Sequence, residues 1–336
     1  VQDILGSLDG VTVVGQRCVA AERSGAGWQL RFADGSVADA AALVLAQGNQ
    51  PPAPYRPGAD LPFFINNPWS PEAASAIRQA AETGADVLLL GTGLTMIDSL
   101  LSLEEAGHRG RITALSRRGL LPRAHAAHQA APVTLDEVPL GRVLTLSRWL
   151  RRRSGEVGFR AAVDSLRPHT RAIWQSWSLV EQRRFLRHAR AWWDVHRHRI
   201  APHVAERLAA VIAEGRLEVI AGRLESLSAA GEAVIARRGG ALVPRRFRLV
   251  INCTGPLGDL SRTEDPLLRS LVEQGEVRLD AHRLGLEVDE RARLSERSWA
   301  VGPLTKGMYW EIVAVPDIRV QVAQVADDIA RELGAG

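Results

Sequence analysis

The sequence predicts an α/β chain of two related units. Each is a three-layer arrangement of parallel strands and helices with an antiparallel β-meander inserted, and the second also carries a helical, Arg/Trp-rich insertion. Three observations lead there. Asp86-Val-Leu-Leu-Leu-Gly91-Thr92-Gly93-Leu94-Thr95-Met96-Ile97-Asp98 reads as a buried strand, a tight glycine turn and the start of an apolar helix. A strand–hairpin–strand pattern occurs over Val11 to Pro51, 41 residues, and again over Leu217 to Pro256, 40 residues; self-similarity of this kind marks repeated units. From Arg148 to Arg199, thirteen arginines and five of the nine tryptophans (Trp149, Trp174, Trp177, Trp192, Trp193) accompany a helical pattern.

The glycine stretch carries the chemistry. A strand that feeds a Gly-x-Gly turn and then a helix lets the backbone approach a pyrophosphate, and the helix N-terminus offers free N–H groups and a positive dipole end. Gly91, Thr92, Gly93, Leu94 and Thr95 are the candidate contacts. The full fingerprint has a third small residue where Met96 stands, so the motif needs its context. That context follows in Gly107 to Gly110, a loop, and Arg111 to Leu115, a second strand, which completes a Rossmann-like βαβ unit. The end of such a strand selects the ribose: a carboxylate suits NAD and an arginine the NADP 2′-phosphate. Ser116-Arg117-Arg118 stands there, with two guanidiniums and no carboxylate, and predicts NADPH over NADH; a solvated basic turn is the competing reading.

Length and composition bound the rest. A chain of 336 residues, 46% hydrophobic and 24% charged, holds about two globular domains. No apolar run is long enough to span a bilayer and no signal peptide is visible, so a cytoplasmic protein is expected. Cys18 and Cys253 offer neither a disulfide framework nor metal-ligand spacing. Of the 42 basic residues all but Lys306 are arginines, a bias of composition. Thirteen arginines against Glu156, Asp164, Glu181 and Asp194 make residues 148–199 strongly basic, so the net charge of +4 conceals an acidic remainder.

In chain order, Val11 to Val14 reads as a strand. Cys18–Arg23 and Trp28–Phe32 flank a Gly-Ala-Gly turn as a hairpin, and Asp34-Gly35 makes a second turn. Ala42–Ala46 is a buried strand ending in Gln47-Gly48-Asn49. Ser70-Pro71 starts a helix over Glu72–Glu82, with an N-cap serine and proline in the first turn. Ser178-Leu-Val-Glu181 reads as a capping box opening a helix that Pro202 ends, and Val204–Ala213 forms another. The second copy of the repeat runs through strands at Leu217–Ile220, Arg223–Leu227 and Ala233–Arg237. Its buried strand, Arg248–Ile251, ends in Cys253-Thr254-Gly255. The tail predicts a helix over Pro266–Gln274, short strands at Arg278-Leu279 and Gly285–Val288, a strand over Ser298–Val301 ending in Gly302-Pro303-Leu304, and a helix over Asp317–Leu333. The second unit opens with a glycine turn. By the repeat the first should too, which predicts an N-terminal βαβ segment outside this sequence or on a separate chain.

Several stretches jointly resemble the bacterial FAD/NAD(P)-binding oxidoreductase-like proteins, two-dinucleotide-binding-domain flavoproteins related to flavin monooxygenases. They are Asn67-Pro68-Trp69, Leu89 to Asp98, Ser116 to Pro122 with His125, Trp193 to Pro202, and Gly302 to Gly307 through Trp310-Glu311 to Arg319. The resemblance implies an FAD domain, residues 1–75 and 257–336, interrupted by an NADP domain over 76–256 whose helical insertion covers 120–215. It implies cofactor contacts at Gly48, Asn49, Trp69, Thr254 and Gly255, and at Gly302, Pro303 and Leu304, where the family's usual Asp after the glycine is replaced by Pro303. The missing N-terminal fingerprint implies that half of the FAD site lies outside this sequence.

The expectation is an FAD-dependent NADPH oxidoreductase acting on a small molecule, with a monooxygenase as its specific form and hydride passing from NADPH to the flavin. No side chain is singled out as a catalytic acid or base. Two alternatives come from other classes: a non-catalytic NADP(H)-binding or redox-sensing protein, and a nucleic-acid binder using the Arg/Trp helices. The basic insertion fits an amphipathic lid better than nucleic acid. His196 and His198, two apart on a helix, point to different faces and share no metal. His125 and His128 show no acidic partner in sequence, Glu311 reads as a substrate contact or a solvated carboxylate, and both cysteines read as packing. No nucleophile elbow or Ser-His-Asp pattern supports a hydrolase.

Overall fold

A computed structural model describes residues 8–334. The chain forms two compact units, one from the residues up to Gly48 and from Asp259 onward, the other from Asn49–Gly258.

In the first unit β1 (Cys18–Ser24), β2 (Gly27–Phe32) and β3 (Val37–Ala40) form the expected antiparallel meander. β4 (Leu43–Leu45) runs parallel to β13 (Ser298–Ala300), which pairs antiparallel with β12 (Arg293–Ser295). Val11 to Val14 is irregular and its valines are exposed; apolar β-formers do not make a strand where no neighbouring strand takes their hydrogen bonds. Arg278-Leu279 and Gly285–Val288 shrink to one bridge, Leu279 to Leu286. The last helix, Val315–Leu333, begins two residues earlier than expected and ends on Gly334 in the left-handed conformation. It buries Gln321, Val325 and Asp328.

Asp328 is the electrostatic knot of this unit. Its carboxylate, 2% exposed, accepts from Arg291 at 3.1 Å, Arg293 at 2.8 Å and the Trp299 indole at 3.0 Å. The Arg293 hydrogen bond, chiefly, holds its pKa down at about 2, against an ordinary 3.8.

In the second unit seven strands follow the order β10-β9-β8-β7-β6-β11-β5. β6 (Val87–Leu90) has parallel neighbours on both sides, β7 (Ile112–Ser116) and β11 (Leu249–Asn252). β8 (Leu217–Leu227) is parallel to β7 up to Ala221 and antiparallel to β9 (Glu232–Arg237) from Gly222, with a bulge between Leu224 and Ser226 inside that pairing; β9 pairs with β10 (Leu242–Arg246). The two strands expected over 217–227 are thus one bent strand. β5 (Phe64–Ile65) pairs with β11, so residues 49–75, expected with the first domain, stand with the second unit up to and beyond this strand. That two-residue strand is too short to be read from periodicity.

Strand residues alternate between two buried layers. Val87 and Leu89 meet Ile77, Met96, Leu100 and Leu103 from α1 (Pro71–Thr83) and α2 (Leu94–Glu105). Leu88 and Leu90 meet Ile220, Ile235 and Phe247, with Tyr55, Leu61 and Phe63 from the loop before β5 packed alongside. The layers are therefore helices, parallel sheet, and meander with loop. The Pro202–Ala213 helix joins the helical layer through Leu208 and Val211. Pro202, expected to stop a helix, starts this one, because proline suits a first turn. The insertion accordingly ends before this helix rather than at 215.

We expect Asp328→Asn to destabilise the protein by about 3 kcal/mol near neutral pH, because it leaves the half-buried Arg293 guanidinium and the buried Trp299 indole poorly matched. The depressed pKa stabilises the fold above the unfolded value and loses that contribution as pH falls through about 2. The gap between native and variant in urea unfolding should therefore close between roughly pH 4 and pH 2. A gap that is constant over that range would show that the carboxylate charge contributes nothing.

Candidate functional site

The site follows from strand order. β6 leads through α2 to β7 on one side, while β11 lies on its other side. Chain connections thus diverge between β6 and β11, and a crevice at the carboxyl ends of such strands is where open α/β sheets bind ligands. Gly91-Thr92-Gly93 leaves β6 there, beside Cys253-Thr254-Gly255 leaving β11.

The two glycines of the turn do different things. Gly91 has φ +121°, and a Cβ on it would overlap the Cys253 carbonyl oxygen. It is glycine because two strand ends touch. Gly93 has an ordinary φ, and nothing lies within 4 Å of where its Cβ would stand. It caps α2 with no side-chain hydrogen bond. Leu94 is 40% exposed beside it and Thr95 is buried. Met96, in place of the third glycine, is fully buried between α2 and the sheet.

Thr92 and Ser116 tie the loops together. Their hydroxyls are 2.8 Å apart, Thr92 donates to the Leu120 carbonyl at 2.6 Å, and Ser116 accepts from the Gly119 N–H at 3.0 Å. This locks the glycine turn to the turn after β7, which carries Arg117 and Arg118. Arg117 is exposed. Arg118 reaches the Arg187 carbonyl at 3.4 Å.

Residues that sequence reasoning passed over complete the far wall. Buried Asn252, the last residue of β11, donates to the Asn66 side chain at 2.9 Å and to the Ala53 carbonyl at 3.1 Å. Its oxygen accepts from the Thr254 hydroxyl at 2.7 Å. Asn66 in turn donates to Pro52 at 3.0 Å, so the strand ends and loop 52–55 form one block. Trp69, on the turn after β5, is 58% exposed. Tyr55 stacks on Phe64 at 6.4 Å; burial raises its pKa, partly offset by the nearby charge of Arg117. An asparagine at the end of an apolar strand was the available signal for Asn252.

In the first unit Gly48, with φ +68° and open space above it, follows β4, and the chain crosses to the second unit at Asn49. Gly302 follows β13, but its N–H donates to the buried Gln321 side chain at 2.7 Å. Gln321 also donates to Thr305 at 2.9 Å. Pro303 has no N–H, and Leu304 is 2% exposed with its carbonyl bonded to Leu286 N–H at 2.7 Å. The expected ligand loop is therefore bound largely to its own unit.

Other sequence expectations resolve here. Glu181 does not close a capping box with Ser178; its carboxylate accepts from the Val143 N–H at 2.9 Å and pairs with Arg184, capping a different helix. His128 does have an acidic partner, Asp164 at 3.0 Å, a residue that also holds buried Arg199. Glu311 is 6% exposed, not a solvated carboxylate. Trp174 and Trp177 are buried and packed edge-on at 6.2 Å. Among the described residues no cluster of three or more His, Cys, Asp or Glu could hold a metal, and no helix is long and apolar enough to cross a membrane.

No protein-family profile and no curated protein matches the sequence. Solved structures do match. The ornithine hydroxylase of Pseudomonas aeruginosa is 18% identical over 95% of this chain and 71% of its own, with a TM-score of 0.60. This chain shares the fold of that protein. The ornithine N-hydroxylase of Kutzneria sp. 744 (13% identity, 98% of this chain, 75% of that one, TM-score 0.58) shares it. So does the bacillithiol disulfide reductase of Staphylococcus aureus (13%, 95%, 71%, 0.56).

Two expected outcomes test the geometry. Gly91→Ala should cost about 3 kcal/mol of stability in denaturant unfolding, since it forces a strained φ and a clash with backbone. Gly93→Ala should cost about 1 kcal/mol or less; equal losses at the two positions would contradict the close approach of β6 and β11. Cys253 is fully buried, with its thiol pKa pushed up to about 12 by desolvation. It should resist thiol reagents at about pH 8 in the native protein and react on unfolding. Rapid native labelling of Cys253 would refute the packing role.

Proposed function

We propose that this chain acts as an FAD-dependent NADPH oxidoreductase on a small molecule. The observation that carries the reading is the divergence of chain connections at the β6–β11 strand ends, with no side-chain cap on the α2 start at Gly93 and two arginines on the turn after β7. Gly93, Leu94 and Thr95 would hold the pyrophosphate, Arg117 and Arg118 the 2′-phosphate, and Thr254, Gly255 and Trp69 the far wall. The exposed guanidinium of Arg117 and the absence of any carboxylate on that turn favour NADPH over NADH. When bound, NADPH supplies reducing equivalents and FAD the redox ring. The chain's own residues orient: Thr92 and Ser116 fix the arginine turn relative to the phosphate turn, and Asn252 fixes the opposite wall.

FAD as partner cofactor is supported by the shared fold and by its structural neighbours, which include an FAD- and NADP⁺-bound ornithine N-hydroxylase. In this chain the FAD-facing candidates are Gly48, Asn49 and the Gly302 turn, of which Gly302 has already committed its N–H to Gln321. Domain roles follow: FAD for the first unit, NADP for the second. Oxygenation of an amine-bearing substrate is the specific activity that the two ornithine-hydroxylating neighbours support. Nucleic-acid binding loses ground because Trp174 and Trp177 pack inside the insertion.

The test is nucleotide affinity and turnover. Arg117→Glu and Arg118→Glu should each weaken NADPH about ten- to a hundred-fold, the worth of a charge-assisted phosphate contact, while NADH changes no more than about threefold. Equal loss of both nucleotides would remove the 2′-phosphate assignment. With FAD supplied, the protein should oxidise NADPH. Tight NADPH binding with no oxidation by the FAD-loaded protein would favour the sensor reading.

A further inference from the structure

The helical insertion holds a groove of about 640 Å³ that the proposed redox site leaves unexplained. Its volume lies within the roughly 300–1,000 Å³ of small-molecule sites. Its floor is apolar, with Leu144, Ala189 and Trp192 among its lining. Leu144 is 55% exposed and Trp192 49% exposed, large apolar surfaces that a chain ordinarily covers. Arg151, Arg184 and His188 stand around this floor, and no carboxylate lines it.

Two features show a built groove. Arg184 pairs with the buried Glu181, whose other oxygen caps the Val143 helix start, so this guanidinium is held in one place. The backbone over Phe185–Ala189 is a π-helical turn, a geometry concentrated at functional sites. The widened turn lets Phe185 pack inward against Trp177 at 5.2 Å while His188 and Ala189 line the groove. Arg151 and His188 make no hydrogen bond or ion pair among the described residues.

We infer that this groove binds a carboxylate with an extended apolar body. Arg151 and His188 would take the carboxylate beside the fixed Arg184, and Leu144, Ala189 and Trp192 would cover the apolar part. A permanently charged guanidinium with no partner gains a charge-assisted bond, and the apolar floor leaves water; neither gain needs the nucleotide crevice. The inference therefore stands apart from the redox reading.

Calorimetric titration of the full chain with sodium decanoate, below its micellar concentration, tests it, with decanamide as the uncharged control. Decanoate should bind once per chain and decanamide at least about tenfold more weakly. Arg151→Glu, an exposed position, should weaken decanoate about tenfold or more with unchanged far-ultraviolet dichroism and unchanged NADPH affinity. Leu144→Asn should weaken both probes. No binding, equal affinity for the two probes, or indifference to Arg151→Glu would each overturn the assignment. So would displacement of decanoate by an oligothymidylate whose affinity falls steeply with salt, which would make the groove a nucleic-acid contact.

Discussion

The close approach of Gly91 to the Cys253 carbonyl organises the second unit. Parallel strands at normal spacing bring two chain ends side by side only if the turn leaving one carries no side chain toward the other. Because Gly91 meets that condition, β6 and β11 can be neighbours while their connections run opposite ways. Thr92, one residue on, is then placed to bond Ser116 and Leu120, which carries the order of the glycine turn across to the arginine turn. On the other side, Asn252 is placed to bond Asn66 and Ala53. The groups at these strand ends come from four segments far apart in sequence, and each is referred to the same strand pair.

The same physics explains why the two units differ in openness at their strand ends. In the second unit the glycine turn is tied by the Thr92 hydroxyl to Ser116 and Leu120 and by the Gly91 N–H to the Leu115 carbonyl, while no side chain caps the helix start at Gly93. In the first unit Gln321 reaches the Gly302 N–H and Thr305, satisfying in the protein a donor that a ligand would otherwise take. A buried amide must be satisfied, and a glutamine in the middle of the last helix does this. Pro303, next in the turn, is consistent with that: proline adds no donor and needs none.

What was legible in the sequence was what local pattern encodes. The glycine turn, both meanders, the Ser70 cap and the helices at 71–83, 94–105 and 202–213 follow from turn chemistry, periodicity and capping. What was not legible depends on partners distant in sequence. Val11 to Val14 has the composition of a strand without a strand beside it. Phe64–Ile65 is a strand only because β11 runs past it. Glu181 has the spacing of a capping box, yet the helix start at Val143 lies closer to its carboxylate than its own. His128 and Asp164 are 36 positions apart, beyond any local motif. The domain boundary moved for the same reason: a crossing point is set by which sheet each short strand joins.

The tryptophans of the insertion show how one composition supports two chemistries. Read as a set, five tryptophans among thirteen arginines fit a surface for stacking and charge. In the fold they separate. Trp174 and Trp177 pack with Phe185 as a small core, which a helical block too short to bury itself by aliphatics alone requires. Trp192, on the helix that follows the π-helical turn, stays half-exposed over the groove. The five-residue turn is what separates these roles, since it changes the phase of the helix between Phe185 and Trp192. An unbroken α-helix would place these residues, seven apart, nearly on one face, so aromatic core and aromatic groove could not both exist. The π-helical turn is thus a condition for the insertion having an inside and a binding face at once.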